Sequence, residues 1–400
     1  MVIFGLLFWF SVLFILYVYI GYPFFLTVLA RLKRRPDTYP LFTPKVTLVI
    51  AAYNEEKAIA SKIENTLALD FPKKNLQILV AADGSDDRTV EIVRTFSAHG
   101  VELSYQPERR GKMAAIDSAM TLVRNEIVLF SDANNLYNKD ALLELVKPFF
   151  DSNVGGVSGS KNILESRDSL SKADGMYWRY ESYIKMQETR LSSCTSAPGE
   201  ILAIRRSLYR SLPPWIINDD FFIALNILRQ GYRLVYAPAA CSFEYSSLTE
   251  EDEDIRRSRI VAGRYQAMAI SAELLPWRNP LLVWQIVSHK FMRPFVPLAM
   301  ISAFFLNILA LIWAPLSPQN KLLELAWPYN AFFFVSQVIF YLVAWFGSNF
   351  KKSGRVAKLL YIPAFLVNSN LSALRGLLSF FTGKQTSLWQ RARRRGETID

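Results

Sequence analysis

The stretch Val46-Thr47-Leu48-Val49-Ile50-Ala51-Ala52-Tyr53-Asn54-Glu55-Glu56 passes from an aliphatic, β-branched run into a polar cluster with two carboxylates and a carboxamide. A run this short, rich in β-branched residues and unbroken by polar alternation, reads as a strand buried on both faces. The figure recurs twice. Leu76-Gln77-Ile78-Leu79-Val80 leads into Ala81-Ala82-Asp83-Gly84-Ser85-Asp86-Asp87, and Ile127-Val128-Leu129-Phe130 leads into Ser131-Asp132-Ala133-Asn134-Asn135. Helix-like amphipathic stretches near 55–69, 87–98 and 111–123 lie between and beside these runs. Strand alternating with helix predicts an α/β fold with a mostly parallel, Rossmann-like doubly wound sheet. Ligands bind such sheets at the carboxyl ends of the strands, and all three polar clusters fall there.

Those clusters narrow the chemistry. No G-x-G-x-x-G follows the first strand and no G-x-x-x-x-G-K-[ST] occurs, so dinucleotide-fold and P-loop readings lose their main support. Acidic strand ends suit a nucleotide held with a divalent metal. Asp83 can accept hydrogen bonds from a base or ribose, while Asp132, helped by the neutral oxygen of Asn134, can hold Mg²⁺ or Mn²⁺ against a diphosphate. Any one of these acids alone also reads as a helix N-cap, and Asp86, ahead of Asp87-Arg88-Thr89, is expected to be one.

Outside this region the composition changes. Over 400 residues, 51% hydrophobic content and a positive mean hydropathy exceed what a purely soluble chain carries. Residues 2–30 hold no charge, longer than the roughly 20 residues a spanning helix needs, and Arg31-Leu32-Lys33-Arg34-Arg35 follows. That order reads as an uncleaved signal anchor that leaves the next segment in the cytosol. Uncharged stretches at 295–314 and 328–347 read as an in-to-out and an out-to-in helix, returning to the basic segment Lys351-Lys352-Ser353-Gly354-Arg355. A last apolar stretch, 359–381, carries Asn368, Ser369, Asn370 and Arg375 and has basic flanks, so it reads as re-entrant or interfacial. Asn368, Asn370 and Arg375 either line an acceptor path or bond helix to helix. The expected division is a transmembrane helix at 1–30, a basic linker at 31–43, the α/β domain at 44–245, an interfacial connector at 246–290 and a membrane region at 291–400.

Forty-six Lys and Arg against 35 Asp and Glu give +11, and the excess sits largely beside the apolar segments. Anionic headgroups attract each such residue by about 1 kcal/mol, so membrane lipid, not nucleic acid, is the expected partner of this charge. Cys194 and Cys241 are too few for a disulfide scaffold or a cysteine zinc cluster, and His99 and His289 are isolated.

Taken in order, I-x-A-Y-N-E-E at 50–56, A-D-G-S-D-D-R-T at 82–89, R-R-G-K at 109–112 and S-D-A-N-N at 131–135 resemble the inverting family-2 glycosyltransferases of GT-A fold. The flanking apolar helices narrow the resemblance to the membrane-integrated branch, which includes cellulose, poly-N-acetylglucosamine and hyaluronan synthases and lipid glycosyltransferases. It implies that Ala52, Tyr53, Asn54, Glu55 and Asp83 are nucleotide-binding positions and that Lys112 faces the nucleotide, an exposed helix cap being the alternative. Asp132 then matches the first acid of the metal-binding D-x-D, with Asn134 in place of the second, which lowers the ligand charge for Mg²⁺ or Mn²⁺. Asn218-Asp219-Asp220 stands where the family has T-E-D, so Asp220 resembles the catalytic base; Asp219 serves equally on chemistry alone, and either also reads as an N-cap.

Of the family's Q-x-x-R-W only Arg259 is present, within Arg256-Arg257-Ser258-Arg259-Ile260, where the resemblance implies a diphosphate clamp. The absent Gln and Trp speak against processive polymerisation, and 256–264 also reads as a basic membrane-surface helix. Gly383-Lys384-Gln385 and Trp389 resemble the synthases' gating loop.

The resemblance therefore implies an inverting glycosyltransferase at the cytosolic face of an inner membrane. It would move a sugar from a nucleotide-sugar, UDP-linked hexose or N-acetylhexosamine, to a lipid-linked or polysaccharide acceptor. The alternatives are a processive exopolysaccharide synthase and a silent scaffold among polysaccharide export partners. Retention of Asp83, Asp132 and Asp220 together weighs against the scaffold.

Overall fold

A computed structural model describes residues 2–33, 38–164, 169–245, 249–313, 318–349 and 355–383. Arg34 and Arg35, the basic run 351–354, and the tail that holds Lys384, Gln385, Trp389 and the terminal arginines lie outside the described residues.

The three apolar runs form β1 (Val46–Ala52), β2 (Leu76–Asp83) and β4 (Ile127–Asp132). With β3 (Val101–Gln106), β5 (Leu136–Tyr137), β6 (Val154–Leu164), β7 (Leu202–Arg205) and β8 (Arg233–Tyr245) they make one sheet in the order β3-β2-β1-β4-β7-β6-β8-β5. The β3-β2-β1-β4 half is parallel, β7 runs antiparallel between β4 and β6, and β8 returns parallel to β6. The sheet is therefore mixed. Its register sets Ala51 beside Ala81 and Asp132, and Ala52 beside Ala82, which brings the polar ends of three strands level.

Both faces of β1, β2 and β4 are covered, which is why these three strands are mostly apolar. Leu48, Ile50, Val80 and Leu129 pack on one side against α2 (Ile59–Leu67) and α5 (Ala141–Val146). Val49, Leu79, Val128 and Phe130 pack on the other against α4 (Lys112–Met120) and α7 (Asp219–Arg229). Each such buried side chain contributes roughly 1.5–3 kcal/mol. At the start of α3 (Thr89–Thr95) the expectation for Asp86 is corrected: Asp87 accepts from the Thr89 backbone N–H at 2.9 Å, while Asp86 is turned away to accept from the Asn54 amide at 2.6 Å.

Three helices among the described residues are long and apolar enough to cross a membrane by length and composition: α1 (Val2–Leu32), α9 (Pro280–Ile312), and the segment Tyr329–Ser348 of α10 (Tyr329–Asn349). The second starts at Pro280 and not near 295. A π turn at Val287–Phe291 and a 3₁₀ turn at Arg293–Phe295 carry His289, Lys290 and Arg293 along one continuous helical rod.

Two long helices join the apolar rods to the α/β domain. On α6 (Ser169–Leu191), Tyr180 donates to the Tyr19 carbonyl of α1 at 2.8 Å, and Glu188 accepts from the Tyr22 hydroxyl at 2.6 Å. On α8 (Glu250–Ala269), Arg257 donates to Ser369 of α11 (Arg355–Thr382) at 2.8 Å, and Asp254 pairs with Arg375. Residues 359–381 thus lie in an unbroken helix. Asn368 donates to Ser348 at 3.3 Å and Asn370 to the Tyr19 hydroxyl at 3.1 Å, so both bond between helices, and Asn370 also lines the large cavity described below.

Candidate active site

The turn after β1 is fastened to the turn after β2. Asn54, in a left-handed conformation, donates from its backbone to Ser85 Oγ at 3.1 Å, and the Glu55 backbone N–H donates to Thr89 Oγ1 at 2.8 Å. Asn54 and Glu55 therefore hold the wall of the cleft. Asp83 does similar work below, accepting from the backbone N–H groups of Arg110 at 2.8 Å and Gly111 at 2.9 Å. This fixes the R-R-G-K turn over the strand ends. It also places the Arg109 guanidinium 4.0 Å over the Tyr53 ring, a contact that sequence reading missed. Between them opens a small pocket lined by Ala52, Tyr53, Asp83, Arg109, Lys112 and Asp132.

Lys112 is not an exposed cap. Its Nζ lies 2.7 Å from Asp132 Oδ1 and 3.9 Å from Asp219 Oδ2, from the first residue of α4. Burial opposes its charge, yet Asp132 and Asp219 outweigh it and hold the lysine above its ordinary pKa. Burial likewise works against ionised Asp132, and the Lys112 ammonium reverses the sign, leaving the carboxylate below its usual range.

Asn134 Oδ1 is buried and has no hydrogen-bond partner among the described residues. Nor do the described residues hold a group of three or more His, Cys, Asp or Glu able to bind a metal. Mg²⁺-like ions take one or two protein oxygens and complete their shell with water and phosphate, so one carboxylate plus an unpartnered carboxamide oxygen fits such an ion.

Neither Asp219 nor Asp220 is an N-cap; Asn218 takes that position and the two acids occupy the first turn of α7. Asp220 accepts from the Gly199 backbone N–H at 3.0 Å. Burial, and then the charge of Asp219 beside it, pushes its carboxyl up to about 6. Arg259 reaches in from α8: its Nη2 donates to the Ile217 carbonyl at 3.1 Å, and its buried Nε has no partner among the described residues. Gln266, on the same helix, accepts from Ile217 N–H at 3.0 Å and donates to the Trp215 carbonyl at 2.9 Å, fastening the loop that leads into Asp219.

Lys112, Asp132, Asn134, Asp219, Asp220 and Arg259 thus line one open cavity of about 1040 Å³, while Asn54 and Glu55 do not. The cavity continues to Ile15 and Ile20 of α1 and Leu366 of α11, joining the strand ends to the apolar helices. Sequence reading also missed a buried polar cluster on this path. Glu188 accepts from His289 Nδ1 at 2.8 Å, Glu181 from Lys290 Nζ at 3.0 Å, and Glu181 pairs with Arg293. These partners lie about a hundred positions apart, so no local spacing signals them.

The family described as Glycosyl transferase family 2 matches residues 47–212. Poly-β-1,6-N-acetyl-D-glucosamine synthase of Staphylococcus aureus (strain COL) is 26% identical over 218 residues, 52% of each chain. Probable glycosyltransferase YdaM of Bacillus subtilis (strain 168) is 25% identical over 266 residues, 61% of each. The chain thus spans only half to three-fifths of the length of these curated relatives. A mannosyltransferase from Pyrobaculum calidifontis, solved in complex with GDP-Man and Mn²⁺, superposes with a TM-score of 0.68 at 21% identity, covering 95% of this chain and 100% of that one. That likeness establishes the GT-A-like fold, with the apolar helices beside it. Residues 47–212 form a Glycosyl transferase family 2 domain, homologous to curated glycosyltransferases.

Proposed function

We propose that the protein is an inverting glycosyltransferase that moves a sugar from a nucleotide-sugar to a hydroxyl of a lipid-linked or polysaccharide acceptor. The observation that carries this is Asp220: a carboxylate held near pH 6 at the junction between the strand-end cleft and the cavity reaching the membrane helices. A general base performs best with a pKa close to the working pH. Asp220 takes the proton from the acceptor hydroxyl as its oxygen attacks the anomeric carbon, and the bond from that carbon to the donor phosphate breaks on the opposite face. Asp219 lies 3.9 Å from Lys112, and its charge adds to burial in raising the Asp220 carboxyl, which makes Asp220 a stronger base.

The nucleotide is assigned to the cleft between Tyr53 and the Arg109–Lys112 turn, with Ala52, Asn54, Glu55 and Asp83 forming or bracing its walls. Lys112 and Arg259 supply cationic N–H groups for the diphosphate. Asp132 and Asn134 would hold Mg²⁺ or Mn²⁺, which when bound neutralises charge on the departing diphosphate. UDP is the nucleotide that the sequence resemblance favours, and the fold neighbour's GDP-Man makes guanosine donors the necessary comparison.

The charge flanking α1 supports placement of the α/β domain at the cytosolic face of an inner membrane. Arg31 and Lys33 close α1 on the side where the α/β domain begins, and basic residues stay on the cytosolic side. Two further helices long and apolar enough to cross support a multi-pass arrangement.

The test is nucleotide release by the detergent-purified protein from a panel of UDP- and GDP-sugars, with Mg²⁺, Mn²⁺ or EDTA, with and without bacterial lipid extract. Metal-dependent release from one donor, raised by the extract, is expected. No release and no nucleotide binding with any donor would establish the silent scaffold instead.

A further inference from the structure

The membrane end of the large cavity carries more positive charge than its carboxylates balance. Lys185 of α6 and Lys290 and Arg293 of α9 are each at least nine-tenths buried, and Arg264 of α8 joins them on the cavity wall. Glu181 accepts from both Lys290 and Arg293. Glu188, next on α6, is bound to His289, Tyr22 and Thr195. The Nε and Nη2 of Arg293 are buried and make no hydrogen bond to any described residue. Lys185 offers its ammonium only to the Tyr236 ring, 5.6 Å away, among the described residues.

Unpaired charge inside a protein is costly, and cations inside a membrane-spanning helix mark a ligand path. Lys290, on this wall, lies within the π turn at Val287–Phe291, and such turns concentrate at functional sites. Guanidinium N–H groups in a fork suit phosphate oxygens. On either side the wall is apolar, with Ile15 and Ile20 of α1 and Ile362 and Leu366 of α11.

We infer that the acceptor is a sugar carried on a lipid phosphate, whose phosphate takes the free N–H groups of Arg293 beside Arg264, Lys185 and Lys290 while its hydrocarbon chain lies between α1 and α11. This rests on the transfer reading and narrows its acceptor. A phosphate oxygen is already anionic and needs no base, whereas the same cavity contains Asp220, so the reacting group is a hydroxyl of the carried sugar. The proton of that hydroxyl goes to Asp220, its oxygen bonds to the donor's anomeric carbon, the nucleoside diphosphate leaves, and the lipid phosphate is unchanged.

The experiment measures binding of a polyprenyl phosphate, the matching polyprenol and inorganic phosphate to the full chain in detergent, alongside nucleotide-sugar binding on the same samples. The polyprenyl phosphate should bind at least tenfold more tightly than either the polyprenol or inorganic phosphate. Arg264→Ala should remove most of that advantage without changing polyprenol binding. Arg293→Lys, which retains a cation for Glu181, should do the same if Arg293→Ala fails to fold. Equal binding of phosphate and alcohol, or wild-type discrimination in both variants, overturns the site. Inorganic phosphate binding as tightly as the lipid makes it a soluble-anion site and overturns the lipid assignment. Lipid-phosphate binding without nucleotide-sugar binding sinks the transfer reading and leaves this site standing; the converse sinks this inference alone.

Discussion

The ammonium of Lys112 lies 2.7 Å from Oδ1 of Asp132, so the carboxylate proposed to receive a metal already carries a protein cation. A divalent ion approaching Asp132 and Asn134 competes with that lysine until a diphosphate arrives to engage both. Lys112→Ala should therefore bind Mn²⁺ without nucleotide about tenfold more tightly than wild type, a gain of about 1.4 kcal/mol. The same variant should bind nucleotide-sugar more weakly. Paramagnetic resonance titration of Mn²⁺ reads the first effect, and an unchanged or lower Mn²⁺ affinity would remove Asp132 from the ligand set.

Asp220 carries a signed dependence on pH. Its folded-state pKa, about 6, lies above that of an unfolded aspartate, so its contribution to stability is fully present below about pH 4 and is lost as pH rises through 6. Asp220→Asn removes that cost and should stabilise the protein at pH 7.5 by on the order of 2–3 kcal/mol. Transfer should fall 10²-fold or more, with nucleotide-sugar binding retained. In the wild type, kcat/KM should drop about tenfold per pH unit below 6. A variant that turns over normally, while Asp219→Asn is dead, moves the base by one residue.

Why the sequence singles out these candidate residues and not others is a matter of what each depends on. Asp83, Asp132 and Asp220 sit where a strand stops or a helix starts, and those boundaries are written in local apolar runs. Strand β3 is half polar, with Glu102 and Ser104 inside it, and its existence depends on pairing with β2, so no local run announces it. The site's far wall depends on partners such as Glu181 and Arg293, whose contact exists only once α6 lies against α9. The start of α9 was hidden for a related reason: Lys290 and Arg293 interrupt the uncharged run in sequence, yet the buried Glu181 of α6 pairs with both inside the helix. Charge patterning cannot anticipate a counter-ion from another element.

Gly84 separates the turn after β2 from the R-R-G-K turn. At its φ of +60°, a Cβ would fall 2.5 Å from the Arg109 backbone nitrogen and 2.8 Å from the Arg109 Cα, atoms that move only with the turn itself. Gly84→Ala should displace Arg109 from Tyr53, weaken nucleotide-sugar binding at least tenfold and lower stability by about 1–2 kcal/mol. Gly100 is the control: its φ is +79°, but a Cβ there meets nothing within 4 Å, so Gly100→Ala should carry the backbone strain alone and bind donor normally. Equal donor affinity in the two variants would show that the spacing of these turns does not shape the nucleotide pocket.

Gln266 acts through the backbone ahead of Asp219. Its carboxamide satisfies one donor and one acceptor of the 215–217 loop, and Arg259, on the same helix, bonds the carbonyl of Ile217, in the next peptide unit. The two side chains fix where α7 begins, and with it the direction of the Asp220 carboxylate, and Gln266 does so without lining the nucleotide pocket or the large cavity. Gln266→Ala leaves an amide and a carbonyl short of partners, at a cost of about 1–3 kcal/mol if they stay buried, and frees the loop to move. Because Gln266 is a positioning residue, the effect should split: kcat down ten- to a hundredfold, nucleotide-sugar Kd within about threefold of wild type. Gln266→Glu keeps the acceptor for Ile217 N–H and loses the donor to Trp215, so it should recover part of kcat. If kcat and donor affinity fall together, or Glu recovers nothing that Ala lost, Gln266 serves only the packing of α8 and the loop has another anchor.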